Sequence, residues 1–223
     1  MKGLNKKLQQ FWAEEKSLSI LLLILVVYIF VIIPLGQKTI LLKIIFLIFY
    51  ASLLSAGMFL LTKNAKLRIL SIFIVVLLVL VGSDILFKSA SFEIIDDFIV
   101  VVYCILLSWI VLLRTFSKGP VSIHRIQGAI VVYLLVSFVF AMLYHSLSLL
   151  NVDAAFKGLS SSDRKELMYF SLTTLTTVGY GDITPALAVT RSLANLEALV
   201  GQLYPAILIA RLVSMEFDSS KNK

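Results

Sequence analysis

The sequence predicts an all-α integral membrane protein of six transmembrane helices, with a short re-entrant helix and loop between the fifth and the sixth. Three observations predict it. Of the 223 residues, 60% are hydrophobic and 15% charged, too apolar a balance for a soluble globular domain. The apolar residues fall in six blocks, 18–33, 39–61, 67–87, 94–113, 121–150 and 186–213, most of them close to or above the ~20 residues a helix needs to cross a bilayer. Between the last two blocks lies an apolar stretch too short to cross, followed by a glycine-containing run, as a segment that dips into the membrane and returns requires.

Taken in order, the first block is short and follows Lys2, Lys6, Lys7 and Lys16, the charge layout of a secretory leader. Pro34-Leu35-Gly36-Gln37 offers no small-x-small cleavage pattern after it, so the block is read as a retained span with Phe11 and Trp12 at the interface. An even number of spans puts both ends on one side. With the N-terminus inside, thirteen Lys and Arg residues fall in inner segments and seven in outer ones. That bias predicts cytoplasmic N- and C-termini, and the expected location is the plasma membrane. The expected organisation is a cytoplasmic segment 1–17, a four-helix shell 18–113, a two-span unit 121–215 and a cytoplasmic tail 216–223.

The net charge of +7 does not imply nucleic acid, because the basic residues sit between apolar blocks and form no patch with interleaved aromatics. Cys104, the only cysteine, lies within an apolar block, which excludes a disulfide framework or a cysteine-based metal site. No Ser/His/Asp or Cys/His grouping shares a face, so an enzyme is not expected.

The chemistry gathers late in the chain. Ser160-Ser161-Ser162-Asp163 is a helix start, with Asp163 expected to cap free amides and Glu166 to reach back. The helix runs over 163–175 and stops short of crossing, with the negative end of its dipole towards the membrane interior. Then comes Thr176-Thr177-Val178-Gly179-Tyr180-Gly181-Asp182. Gly179 and Gly181 reach backbone angles that other residues avoid, so that successive carbonyls can point the same way, while Val178 and Tyr180 point outward to pack. A ring of such carbonyls from four strands can replace the hydration shell of a potassium ion, and Thr177 adds a hydroxyl. Thr184 and Pro185 read as the cap and first residue of the next helix.

Within that helix, Glu197 is the one acid of the last span, and a buried carboxylate needs a partner. It is read as a brace to the short helix through Thr173 or Thr174, as a protonatable regulator, or as a neutral acid near the interface. Gly201 is either a hinge or a small residue that permits close helix packing. Pro205 removes a helical hydrogen bond and favours a bend. Stepping from Gly201 by helical repeat gives Pro205, Ile209 and Val213, with Gln202 alongside, as candidate cavity residues. His124 and His145, near the two ends of the fifth span, are expected to be solvated.

Thr177-Val178-Gly179-Tyr180-Gly181 is also the known spelling of potassium-channel filters, so this reading is recognition supported by mechanism. Residues 121–213 resemble the two-span pore module of the potassium channel superfamily. The four preceding spans resemble bacterial voltage-gated-like channels in layout only. The resemblance implies potassium ligands at Thr177, through hydroxyl and carbonyl, and at the carbonyls of Val178, Gly179 and Tyr180, with Gly181 completing the filter. It implies filter support from Thr176, Asp182, Tyr169 and Glu197, and gating at Gly201 and Pro205. In the family the acid after the filter bonds a pore-helix aromatic, and here Tyr169 and Phe170 stand where tryptophan is usual. The implied function is passive potassium conduction by a homotetramer, with three further copies, membrane lipid and the permeant ion as partners, and with no cofactor and no nucleic acid.

The fourth span departs from the family. It contains no arginine, Arg114 lies just past its end, and the connector 115–120 carries Gly119-Pro120, which discourages a continuous linker helix. Weak voltage dependence is therefore expected. A potassium transporter component is the alternative from another class, disfavoured by the single filter loop. A non-conducting regulatory subunit of another channel is the other.

Overall fold

The structure is a computed structural model that describes residues 16–35, 90–116, 122–150, 155–160 and 163–221. The spans expected at 39–61 and 67–87, most of segment 1–17, and Gly119-Pro120 of the connector lie outside the described residues. Among the described residues, four helices are long and apolar enough to cross a membrane: Leu18–Leu35, Ala90–Thr115, Ile123–Leu150 and Ala188–Met215. The chain is thus a largely helical membrane protein.

The elements are α1 (Lys16–Val27), a π turn (Tyr28–Ile32), α2 (Ile33–Leu35), α3 (Ala90–Thr115), α4 (Ile123–Leu150), β1 (Phe156–Lys157), α5 (Arg164–Leu175), β2 (Thr184–Pro185) and α6 (Ala188–Lys221). In the π turn the Ile33 amide donates to Tyr28 O. This wide turn sits directly before Pro34, which has no N–H and presses on the turn preceding it. Helices α3 and α4 have 26 and 28 residues, a rise of about 40 Å against a hydrocarbon core of about 30 Å. Helix α5 has 12 residues and rises only about 18 Å, so it cannot span.

The chain divides into two compact units. Among described residues, the first holds α1 and α2, α3 from Leu106 onward, and α4 as far as Val132. Leu18, Leu21, Leu25, Tyr28 and Ile32 are buried, a spacing that puts one stripe of the first span inward. His124 is not simply solvated as expected. Its Nδ1 lies 2.8 Å from Ser19 Oγ and 3.2 Å from Gln127 Oε1, and Ser19 Oγ also donates to Gln127 Oε1.

The second unit holds the start of α3, the rest of α4, and everything described from residue 155 on. Its core joins Phe140 and Tyr144 of α4, Ala155 and Phe156, Leu167 and Phe170 of α5, Ile183, and Ala194 of α6. Tyr144, Phe156 and Phe170 meet edge to face at centroid separations of 5.1–5.5 Å, each pair contributing about 0.5–1.5 kcal/mol beyond its buried area. This aromatic cluster seats the short helix.

Two local expectations are corrected. Asp163 is the N-cap of α5 with extended backbone, but its side chain accepts no capping bond and pairs instead with Lys165 Nζ at 3.2 Å. Glu166 reaches further back, accepting from the Ser160 amide at 2.9 Å and from Ser160 Oγ. Thr184-Pro185 does not start α6. It forms a two-residue antiparallel ladder, Phe156 opposite Pro185 and Lys157 opposite Thr184, and the Ala186 amide donates to Ala155 O at 3.0 Å. Proline is tolerated here because it stands in an edge pairing, where a missing donor breaks no ladder.

Candidate functional site

The run after α5 carries an alternating backbone. Thr177, Gly179 and Gly181 have φ of 59°, 52° and 83°, whereas Thr176, Val178 and Tyr180 do not take positive φ. In an ordinary strand successive carbonyls alternate in direction; residues of alternating hand turn them to one side. The two glycines do this without a side-chain penalty. Thr177 is the surprise, because a β-branched residue in the left-handed region is strained by ~1–3 kcal/mol. No composition or motif argument singles out that strain.

Hydrogen bonds to α5 hold the strained segment. The Thr176 amide donates to Leu172 O, the Thr177 amide to Thr174 O, and the Val178 and Gly179 amides to Thr173 O, at 2.9–3.1 Å. Thr176 Oγ1 adds a bond to Leu172 O at 2.6 Å, and Tyr133 Oη of α4 donates to Leu175 O at 3.0 Å. The carbonyls of residues 172–175, which a helix C-terminus normally leaves without helical partners, are all taken. Three of them anchor the loop.

Gly201 lies under this end of α5. It is buried, and a Cβ there would fall onto Leu175 O and stand 2.8 Å from Leu175 C and 3.1 Å from Leu175 Cα. Among the roles open to Gly201, close packing thus has a geometric basis, and it does not head an open cavity-facing row with Pro205, Ile209 and Val213. Helix α6 continues through Pro205 to Lys221. Its buried positions Thr190, Ala194, Glu197 and Gly201 form one helical stripe.

Glu197 does not bond Thr173 or Thr174. Tyr144 Oη donates to its Oε2 at 2.7 Å, and Ser171 Oγ stands 2.5 Å from its Oε1. Thr173 Oγ1 instead donates to Phe170 O at 3.0 Å. Thr173 and Thr174 serve the loop with their carbonyls.

At the other end of the loop, Tyr169 Oη donates to Asp182 Oδ2 at 2.7 Å, and the Tyr169 ring stacks on that of Tyr180 at 6.3 Å and 2°. The Tyr169 hydroxyl holds the Asp182 carboxyl below the usual carboxylate range, and Asp182 in turn raises the Tyr169 phenol. A depressed folded value means that the contact stabilises above the ordinary carboxylate pKa of ~3.9 and is lost as pH falls through the lower one. The clasp is closed at neutral pH. Tyr169→Phe is expected to keep the ring stack and lose the clasp, so that the backbone amides of 180–182 exchange hydrogen faster. Exchange rates identical to the parent would show that the hydroxyl does not hold the loop.

Sequence reading missed two further supports. Gly158, at φ 83°, lies so close to the Asp182 carbonyl that a Cβ would be 3.0 Å from its carbon. A charged cluster fixes the start of α5: Arg164 Nη2 lies 2.8 Å from Asp96 Oδ2 and 2.9 Å from Asp97 Oδ1, and Asp97 Oδ2 lies 2.5 Å from His145 Nδ1. His145 is therefore buried and paired, not solvated. The signal was available, since adjacent acids and a histidine inside apolar blocks need partners.

The loop itself has little cover from its own chain. Val178 is 53% and Tyr180 71% exposed, and nothing lies within 4 Å of where a Cβ would project at Gly179 or Gly181. Val178 and Tyr180, expected to pack outward, stay largely exposed, with the Tyr169 ring stacked on that of Tyr180.

A family model described as an ion channel matches residues 128–217, which takes in most of α4, then α5, the loop and nearly all of α6. Protein LctB of Bacillus caldotenax is 37% identical over 112 residues, 47% of this chain and 81% of that protein. Protein LctB of Geobacillus stearothermophilus is 42% identical over 57 residues, 26% of this chain and 40% of that protein. No solved structure matches the chain. A spanning helix, a short helix with an alternating-φ loop tied to its end, and a second spanning helix all fall inside the matched segment, and the chain belongs to the ion channel family.

Proposed function

We propose that the chain is the subunit of a potassium-selective channel in which four copies place their 177–181 strands around one axis and potassium passes down its gradient. The observation that carries this reading is the alternation of φ at Thr177, Gly179 and Gly181 within Thr-Val-Gly-Tyr-Gly, since one-sided carbonyls are what a potassium cage requires. The ligands are the Thr177 hydroxyl and the carbonyls of Thr177, Val178, Gly179 and Tyr180. A single chain supplies one strand and leaves it largely exposed, so assembly completes the site. The protein acts in the plasma membrane with both termini cytoplasmic.

Gating is weakly voltage-dependent. Steep gating needs several charges per subunit moving through a field worth roughly 2.3 kcal/mol per charge per 100 mV. Helix α3 carries one cation, Arg114, in its last turn, and Asp96 and Asp97 are pinned to Arg164. The test is reconstitution of the purified protein in lipid vesicles. Reversal potentials that follow the potassium gradient over sodium, with a native mass of four chains, are expected, and open probability should change gently across a wide voltage range. Absence of flux from a tetramer would favour the non-conducting subunit, and equal sodium permeation would end the potassium reading.

A further inference from the structure

The hydrogen-bond count behind α5 does not close if Glu197 is ionised. Ser171 Oγ stands 2.7 Å from Ser137 O and 2.5 Å from Glu197 Oε1. Both contacts are within hydrogen-bond distance, and a serine hydroxyl has one proton to donate. Ser137 O is a backbone carbonyl and can only accept. If the Ser171 proton goes to Ser137 O, the contact with Glu197 Oε1 needs a second proton, and the only group that can carry it is Glu197. Tyr144 Oη donates to the other oxygen, Oε2, at 2.7 Å. Glu197 is fully buried, and no Lys, Arg or His among the described residues forms an ion pair with it. The titratable groups facing it are Tyr144 and Tyr133, both from α4. An ionised carboxylate without a cation in such a place is costly.

We infer that Glu197 is a neutral carboxylic acid whose proton is donated to Ser171 Oγ, forming the chain Tyr144 to Glu197 to Ser171 to Ser137 O that locks α4, α5 and α6 together behind the loop. Glu197 is a positioning residue. It touches no ion, and it acts by holding the helix whose last carbonyls anchor residues 176–179. The glutamine side chain has the same donor and acceptor arrangement as the neutral acid, whereas leucine leaves the Ser171 and Tyr144 hydroxyls buried without their partner.

Infrared difference spectroscopy of the reconstituted full chain tests the protonation state without relying on conduction. The parent-minus-E197Q spectrum at neutral pH is expected to contain a protonated-carboxyl C=O stretch. Tyr144→Phe should move that band to higher frequency, because the carbonyl oxygen loses its donor. A difference spectrum with only ionised-carboxylate bands overturns the inference. The positioning role rests on the channel reading: E197Q should retain potassium-over-sodium flux and Glu197→Leu should lose it. Loss in both variants with the band present would refute the positioning role while leaving the proton assignment standing.

Discussion

Gly201→Ala should destabilise the pore unit severely. The added Cβ meets the backbone of Leu175, falling on its carbonyl oxygen and lying 2.8 Å from the carbonyl carbon, where carbon atoms prefer about 3.5–4.0 Å. A flexible side chain would swing aside, but a carbonyl at a helix end cannot do so alone. Either α5 or α6 must move by about 1 Å, and the bond from Tyr133 Oη to Leu175 O is stretched in the process. Overpacking in cores costs about 1–3 kcal/mol, and a backbone obstacle places this case at the upper end. For a chain of this length about 3 kcal/mol lowers the thermal midpoint by about 6–12 °C. Thermal unfolding of the detergent-solubilised assembly measures it. A hinge glycine, by contrast, tolerates alanine with little loss of stability and alters gating instead. An unchanged midpoint with changed open probability would therefore favour the hinge.

The parts of the fold legible in the sequence are those that depend on local periodicity and on bilayer length. Apolar runs at 18–33, 94–113, 121–150 and 186–213 correspond to helices found within a few residues of those limits. The loop was legible because glycine at alternate positions has a direct stereochemical meaning. Contacts between distant segments were not legible. Thr184-Pro185 looks like a helix start until Phe156-Lys157 pairs with it, and nothing local announces so distant a partner. The sequence shows that Glu197 needs a partner but not which one: its partners are not Thr173 or Thr174 but Ser171 and Tyr144, because the latter two lie on the faces that meet α6. The rotation of α5 about its axis decides that, and α5 is too weakly amphipathic for its sequence to state which face is buried. The hydroxyl of Thr177 is legible in the sequence, whereas its left-handed backbone is visible only in three dimensions.

Gly179→Ala should abolish selective conduction while leaving insertion and assembly intact. At φ 52° an added Cβ meets nothing within 4 Å in its own chain, so the objection is not steric crowding there. It is the backbone angle, which costs an L-residue with a Cβ about 1–2 kcal/mol. The spanning helices that govern insertion are far from the change and keep their apolar faces. The penalty can be escaped by rotating the peptide, which turns a carbonyl off the common side, and in the proposed ring four chains face the same choice. Thr177 shows that a residue with a side chain can be held in this region, but its neighbours are tied on both sides by bonds from Thr176 and Val178 to α5. After Gly179 no such amide tie to α5 continues among the described residues, so relaxation is open to the alanine variant. Reversal potentials in opposed potassium and sodium gradients, together with the native mass, measure the outcome. A variant that assembles and discriminates potassium from sodium as well as the parent would show that the Gly179 angle does not set a potassium site.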